Sequence, residues 1–223
     1  MEVPTVTADQ MREVDRILVE DRGFSVKRLM ENAGYQVADF VRRFHPGSRV
    51  AVYAGVGNNG GDAVAAARRL HGWGFDVEVV PASREMEGPP AEEMRILESL
   101  DVPVVDGPVE GPDLVVDGLI GYGLDGEPRP PFDRLIREVN DHGAETVSID
   151  VPSGVDADTG EAVEPHVEAD STVTLGLPKT GLEGCGSAGE VWLADIGIPS
   201  QVYREVGVSG PKMFLESSLT RVQ

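Results

Sequence analysis

The first residues that could do chemistry follow an early apolar run, in the stretch "VAVYAGVGNNGGDAVAAARRL". Its glycines predict backbone φ and ψ angles that are sterically forbidden to other residues, and they would let a ligand approach the main chain closely. A helix that begins here would point amide groups and its positive dipole end at an anion, most plausibly a phosphate. The stretch lacks the Gly-Lys-Ser/Thr of a P-loop and matches the dinucleotide fingerprint G-x-G-x-x-G only in part. The glycines concerned are Gly55, Gly57, Gly60 and Gly61.

Polar residues among these glycines add a second property to the segment. Asn58, Asn59 and Asp62 contribute amide and carboxylate oxygens, which are the ligands that hard cations prefer. A purely structural interpretation remains open, in which the asparagines occupy turn positions and Asp62 caps the helix. The segment therefore predicts an anion site, and its oxygens allow a cation nearby.

Two later strands are expected to end in aspartates. Asp117 follows "DLVV" and precedes the loop "GLIGYGLDGEPRPPF", whose glycines Gly121, Gly123 and Gly126 again permit close backbone approach. Asp150 ends "TVSID" and precedes "VPSGVDADTG". Ligands of open parallel sheets bind beyond the carboxyl ends of the strands. We therefore expect three strand ends to meet at one crevice.

The elements that position these residues alternate between short apolar runs and helical patterns. Two amphipathic helices come first, one opened by the capping box T-A-D-Q at Thr7 and one from about Ser25 to Phe44. From Arg49 onward strands and helices alternate, which predicts a Rossmann-like three-layer α/β/α fold with a mostly parallel central sheet. The last two strand-like runs, "STVTLGL" and "EVWLADIGI", have no helix between them, so the far edge should depart from strict alternation.

Composition and charge restrict the function. The 223 residues include 39 acidic and 19 basic residues, for a net charge of −20, and this disfavours a nucleic-acid partner. Acid-rich, lysine-poor usage predicts a salt-adapted, halophile-like cytosol. The sequence shows no signal peptide, no membrane-spanning run and no linker, which predicts a cytoplasmic protein with one domain over residues 1–223. The single cysteine, Cys185, is expected to have no chemical role.

Five segments together resemble the YjeF N-terminal domain family, whose enzymes are NAD(P)H-hydrate epimerases. The resemblance extends from Thr7 to Pro199, with the segments in family order and departures at Val56 and Ala63. It implies an isomerase of nicotinamide nucleotide repair that interconverts the R and S epimers of hydrated NADH or NADPH. The dehydratase domain often fused behind this one does not follow, so we expect epimerisation without dehydration. The segments are "GVGNNGGDAVAAARRL", "DGLIGYGLDGEPRPPF", "SIDVPSGVDADTG", "ADSTVTLGLPKTGL" and "GEVWLADIGIP".

The resemblance also implies roles for particular residues. Asp150 is the candidate acid and base, and Lys179 would balance phosphate charge or support the aspartate. One potassium ion is expected on Asn59, Asp117 and Ser153. The expected substrate-binding residues are Asn58, Asn59, Gly60, Gly61, Asp62, Gly121, Tyr122, Gly123, Leu124, Asp125, Gly126, Glu127 and Asp150.

Two other interpretations stay open. Relatives of this fold serve as binding modules without catalysis, some of them RNA-associated scaffolds, but the retained Asp62, Asp117 and Asp150 disfavour that role. A Rossmann-fold oxidoreductase is disfavoured because "DVEVVPAS" ends without an acidic ribose anchor. The preference between the two hydrates, a homodimer and a separate dehydratase partner are left undetermined.

Overall fold

A seven-stranded sheet forms the centre of the computed structural model, which describes residues 3–210, 214 and 217–223. In the order β2-β1-β3-β4-β5-β6-β7, every neighbouring pair is parallel except β6 and β7. The predicted mostly parallel α/β sheet is therefore confirmed. The strands are β1 Arg49–Ala54, β2 Asp76–Pro81, β3 Leu114–Gly118, β4 Glu145–Ile149, β5 Ser171–Leu175, β6 Glu190–Ala194 and β7 Leu219–Arg221.

Helices cover both faces of the sheet. The first four pack with one large apolar cluster, whereas the fifth packs Leu135, Ile136 and Val139 against the opposite face. This gives the three layers that alternating strands and helices predict. The described helices are α1 Ala8–Arg16, α2 Val26–Phe44, α3 Asn58–Gly72, α4 Gly88–Glu98, α5 Phe132–Asp141 and α6 Ser200–Glu205.

The two N-terminal helices begin where the sequence predicts. Thr7 accepts a hydrogen bond from the Gln10 backbone N–H, and the Gln10 side chain accepts one from the Thr7 N–H, which completes the capping box. A π-helical turn at Ile17–Asp21 extends α1. Ser25 caps α2 through the backbone N–H of Arg28. The caps fix where α1 and α2 start. Both helices then lie over the carboxyl ends of the strands, where the site is.

The far edge departs from regular alternation, as expected. Strands β5 and β6 are parallel neighbours joined by two short 3₁₀ turns, Thr180–Leu182 and Gly186–Ala188. The antiparallel β7 then closes this edge. The sequence pattern did not predict α6 or β7, because a six-residue helix and a three-residue strand are too short for a clear period.

Candidate active site

The glycine-rich segment is shorter as a loop than the sequence indicates. Helix α3 already begins at Asn58, so only residues 55–57 connect it to β1. The predicted special backbone angles are wrong, since Gly55, Gly57, Gly60 and Gly61 all lack a positive φ. Asp62 lies in the second turn of the helix, so the alternative in which it caps α3 is also wrong.

The glycines instead allow elements to pack closely. A Cβ on Gly60 would lie 1.8 Å from the carbonyl oxygen of Gly55, and one on Gly55 would lie 2.0 Å from that of Leu119. A Cβ on Gly61 would lie 2.4 Å from the Cε of Met30 in α2. The absence of side chains brings α3 against the ends of β1 and β3. The predicted ligand contacts of Gly60 and Gly61 stay predictions.

A cavity of about 600 Å³ opens where β1, β3 and β4 end, within the usual range for small-molecule sites. One wall comes from α1 and α2, and the other from the loop that follows β3. Of the predicted residues, those that line it are Asn58, Asn59, Asp62, Gly121, Tyr122, Gly123, Leu124, Asp125, Glu127, Asp150 and Lys179.

Five predicted residues lie outside that lining. Gly60 and Gly61 pack against protein atoms, and Gly126 occupies a turn with a φ of +71°. Asp117 and Ser153 are fully buried below the loop. The expected meeting of three strand ends thus holds for the chain segments, while the Asp117 carboxylate is separated from the cavity.

Asp150 and Lys179 form a buried ion pair at the cavity. The Lys179 Nζ donates to Asp150 Oδ1 and, at 3.1 Å, to the carbonyl oxygen of Leu175. The Asp150 side chain is only 5% exposed to solvent and the Lys179 side chain only 1%. The backbone N–H of Leu175 also donates to Asp150 Oδ1 at 3.2 Å. The two residues that sequence analysis selected for catalysis are therefore in direct contact.

Asp62 faces the same cavity without a hydrogen-bond partner in the described part of the chain, and it is 8% exposed. Burial is the largest cause that raises the pKa of Asp62 well above its ordinary value. The charges of Asp150 and Asp15 raise it further, whereas Lys179 lowers it. The environment therefore favours the protonated carboxyl at Asp62.

The Asp117 carboxylate accepts hydrogen bonds from two serines. Ser148 Oγ donates to Oδ2 at 2.8 Å, and Ser153 donates through Oγ to Oδ1 at 2.6 Å and through its N–H to Oδ2 at 2.9 Å. Burial raises the Asp117 pKa, and these hydrogen bonds partly oppose that effect. Asn59 lies beside Gly121, and its buried Nδ2 has no partner among the described residues.

Sequence analysis missed Asp15, which reaches the site from α1. Its Oδ2 accepts a hydrogen bond of 2.5 Å from the hydroxyl of Tyr122. The Lys179 ammonium lies 5.6 Å from the centre of the Tyr122 ring, within the range of a cation–π contact. The only sequence signal was that this carboxylate, directly after Val14, falls on the apolar face of an amphipathic helix.

The charges at the cavity are unbalanced. Acidic residues outnumber basic ones in the lining, which contains Asp15, Asp62, Asp125, Glu127 and Asp150 against Arg12, Arg129 and Lys179. Burial and the nearby Asp15 raise the pKa of Tyr122, which keeps its hydroxyl neutral. An excess of carboxyl groups suits a reaction in which the substrate takes up a proton or becomes a cation. The N-terminal end of α3 instead favours an anionic group of a ligand.

Comparison with known proteins assigns the family. The family model for the YjeF-related protein N-terminus matches residues 26–181. The chain belongs to this family. The resemblance drawn from the five sequence segments is thereby confirmed, and Asp62, Asp150 and Lys179 all fall inside the matched range, whereas Asp15 precedes it.

Curated relatives match most of the chain. An NAD(P)H-hydrate epimerase of Dehalogenimonas lykanthroporepellens is 37% identical over 92% of this chain and 87% of its own length. An epimerase of Rhodopirellula baltica is 34% identical over 93% and 90%. A bifunctional NAD(P)H-hydrate repair enzyme of Hyperthermus butylicus is 41% identical over 82% of this chain but 37% of its own length.

A solved structure shares the fold. The crystal structure of the yeast protein ynu0, YNL200c, aligns with a TM-score of 0.86 at 26% identity, over 98% of this chain and 99% of the yeast chain.

Among the described helices, none has the length and apolar character needed to span a membrane.

Proposed function

We infer that this protein is an NAD(P)H-hydrate epimerase, an isomerase that interconverts the R and S epimers of hydrated NADH or NADPH. The buried Asp150–Lys179 pair at the cavity carries this inference. The curated epimerases that align with most of the chain support it. The loss and return of one water is chemistry that a positioned carboxyl group can perform.

The reaction divides into two mirror-related steps. The C6–O bond of the hydrate breaks as the hydroxyl takes up a proton and leaves as water, and the lone pair of the ring nitrogen stabilises the resulting planar cation. Water then adds to C6 from the other face and gives up a proton. The overall change is inversion at C6, with no redox change and no net uptake of protons.

Asp150 is the group that we assign to this proton transfer. Its Oδ1 is held by Lys179 and by the Leu175 N–H, which fixes the carboxyl group at the cavity. Asp62 adds a second carboxyl group at the same cavity. A charged Asp150 carboxylate at the cavity would also favour the planar cation electrostatically.

The start of α3 is the proposed place for the substrate's phosphates. Asn58 and Asn59 begin the helix and line the cavity, and backbone N–H groups at a helix start bind anions. The loop from Gly121 to Glu127 forms the facing wall. This arrangement would hold the nicotinamide end toward Asp150.

A potassium ion on Asn59, Asp117 and Ser153 is part of the proposal. The residues fit such an ion, because Asp117 and Ser153 supply adjacent buried oxygens and the Asn59 amide has an unpartnered buried atom. The side-chain amide of an asparagine can be flipped so that its oxygen and nitrogen swap positions, and Asn59 can therefore present its oxygen to the ion. The ion would supply positive charge that offsets the buried Asp117 carboxylate.

An assay of epimer interconversion tests the function. Each hydrate epimer is purified by chromatography, and its conversion into the other is followed by NMR with and without the protein. We expect the protein to accelerate conversion in both directions to the same final ratio. Interconversion at the uncatalysed rate would contradict the proposal.

The same assay with hydrated NADH and with hydrated NADPH measures the substrate preference. A separate dehydratase that consumes one epimer is the proposed pathway partner.

A further inference from the structure

We propose that Asp15 is a positioning residue, which holds Tyr122 and the loop that follows β3 against the cavity and thereby keeps Lys179 in place beside Asp150. This inference rests on the proposed epimerase function. It assigns a role to α1, whose residues precede the segment matched by the family model. Asp15 acts here through Tyr122 and does not need to touch the substrate.

Few hydrogen bonds hold this loop, although the Tyr122 ring also packs against apolar residues of the core. Residues 121–128 include three glycines, Gly121, Gly123 and Gly126, and all of these residues except Gly126 line one wall of the cavity. Among the described residues, the 2.5 Å bond from the Tyr122 hydroxyl to Asp15 is the single hydrogen bond that ties this segment to the rest of the protein. Without that bond, the apolar packing of the Tyr122 ring is left to hold the segment, and we expect the loop to leave its position more often.

The contact continues to the catalytic pair. The face of the Tyr122 ring lies 5.6 Å from the Lys179 ammonium, and the same ammonium donates to Asp150. An ordered Tyr122 therefore covers the ion pair on the cavity side. A displaced Tyr122 would expose Lys179 to water and change where the ammonium and the Asp150 carboxylate lie relative to substrate.

Helix α1 is itself fixed to the two segments that carry this pair. The backbone N–H of Ala8 donates to Asp158 Oδ1 at 2.6 Å, in the loop that follows Asp150. The Val6 N–H donates to the carbonyl oxygen of Pro178 at 2.9 Å, and the Thr180 N–H donates to that of Val6 at 3.0 Å, on either side of Lys179. Asp15 is thus presented from a helix in fixed register with Asp150 and Lys179.

Two substitutions of Asp15 separate positioning from acid–base chemistry. Asp15→Ala removes the acceptor, whereas Asp15→Asn keeps an oxygen for the Tyr122 hydroxyl and removes the charge. We expect Asp15→Ala to lower kcat/KM by about 10- to 100-fold, as for other small misplacements of reacting groups. Asp15→Asn should recover activity to within about 3-fold of the wild type. Equal losses in the two variants would overturn the positioning role.

Tyr122→Phe tests the same bond from the other side. It keeps the ring over Lys179 and removes the hydroxyl, so it should match Asp15→Ala, and the double variant should lose no more than either single one. Additive losses would overturn the proposal. Glu13→Gln is the matched control, because Glu13 is exposed on the same helix and pairs only with Arg16 among the described residues.

Backbone NMR order parameters of residues 121–127 in the substrate-free protein provide a readout apart from catalysis. The order parameters should fall in Asp15→Ala and Tyr122→Phe and stay at the wild-type level in Asp15→Asn and Glu13→Gln. Unchanged order parameters in all four variants would overturn the proposal even if the wild type is active. Wild-type protein without epimerase activity, but with these differences in order parameters, would reject the proposed function and leave the contact with Tyr122 established.

Discussion

Lys179 donates a hydrogen bond to Asp150 across 29 residues of sequence, and the contact is almost entirely withdrawn from solvent. Asp150 directly follows β4 and has a φ of +70°, an uncommon angle for a residue other than glycine. Backbone held in such a region often marks a functional site. Here it turns the Asp150 carboxyl group toward Lys179 and the cavity.

Asp150→Asn should reduce epimerisation by about 10²- to 10⁴-fold while ligand binding persists. Asparagine tolerates a positive φ and has a similar shape, so the change keeps the backbone in place and removes the proton-transferring group together with the counter-charge of Lys179. Turnover and ligand affinity measured across the pH range check this expectation. Wild-type turnover at every pH would exclude Asp150 as the acid.

The buried pair predicts a specific coupling in stability. Loss of one partner leaves a buried charge without its counter-charge, which costs about 3–5 kcal/mol in comparable pairs. Lys179→Met and Asp150→Asn should each lower the free energy of unfolding, and the double variant should lose less than the sum of the two. Denaturant unfolding of all four proteins measures this difference. Strict additivity would show that the pair contributes no coupling energy.

Much of the fold follows from the sequence pattern. The alternation of apolar runs and helical segments predicts the parallel strands, and the capping box at Thr7 and the helical spacing from about Ser25 predict the starts of α1 and α2. The position of Asp150 at a strand end selected it for the site, and the resemblance to the family selected Lys179, and the structure brings these two residues into contact. Local pattern is informative for Asp150 because its position depends mainly on the strand that it follows.

Other features of the site depend on contacts between distant segments. Gly60 was expected to free the backbone for a ligand, but it makes room for the carbonyl oxygen of Gly55. Asp15 meets Tyr122 across 107 residues, and no local pattern specifies that meeting. Asp117 was expected at the crevice, yet Ser148 and Ser153 hold it below the loop. Tertiary packing decides each of these cases.

Asp62→Asn should stabilise the protein at neutral pH. Burial raises the pKa of Asp62 in the folded state above its unfolded value of about 3.9, so the unfolded state releases its proton first as pH rises. Wild-type stability therefore falls through the window that begins near pH 4, whereas the variant has no carboxyl group to titrate. Each kcal/mol gained raises the melting temperature by about 2–4 °C in a domain of this size.

Thermal unfolding of the wild type and Asp62→Asn at several pH values measures this effect. The advantage of the variant should be small near pH 4 and should grow toward pH 7. A constant difference across that range would contradict the titration of Asp62. Activity is expected to fall in the same variant, since Asp62 lies at the cavity.

Gly60→Ala should strongly destabilise the protein, whereas Gly57→Ala should change the melting temperature little. The added methyl group at Gly60 would lie 1.8 Å from a backbone oxygen that cannot move independently, but a methyl group at Gly57 has no neighbour within 4 Å. Both residues have negative φ angles, so backbone strain does not differ. Comparable melting temperatures would contradict close packing as the role of Gly60. Gly61→Val would meet the flexible Met30 side chain, so its effect should be intermediate.

The proposed potassium site predicts a dependence on the kind of salt as well as its amount. Potassium and sodium chloride at equal ionic strength screen the net charge of −20 equally, and both should raise the melting temperature. Potassium alone should add a further increase if Asn59, Asp117 and Ser153 hold it. Asn59→Ala should remove that extra increase, while Asn58→Ala, whose side chain is exposed, should retain it.

Crystals grown with thallium or rubidium in place of potassium locate the ion directly. We expect anomalous density between Asn59, Asp117 and Ser153, because oxygen ligands with one formal negative charge suit a monovalent ion better than a divalent one. The same crystals of Asn59→Ala should show weaker density at this position. Ordinary water at hydrogen-bond distances in the wild type, together with equal melting temperatures in the two chloride salts, would refute the site. In that case the hydrogen bonds from Ser148 and Ser153 alone would stabilise the buried Asp117 carboxylate.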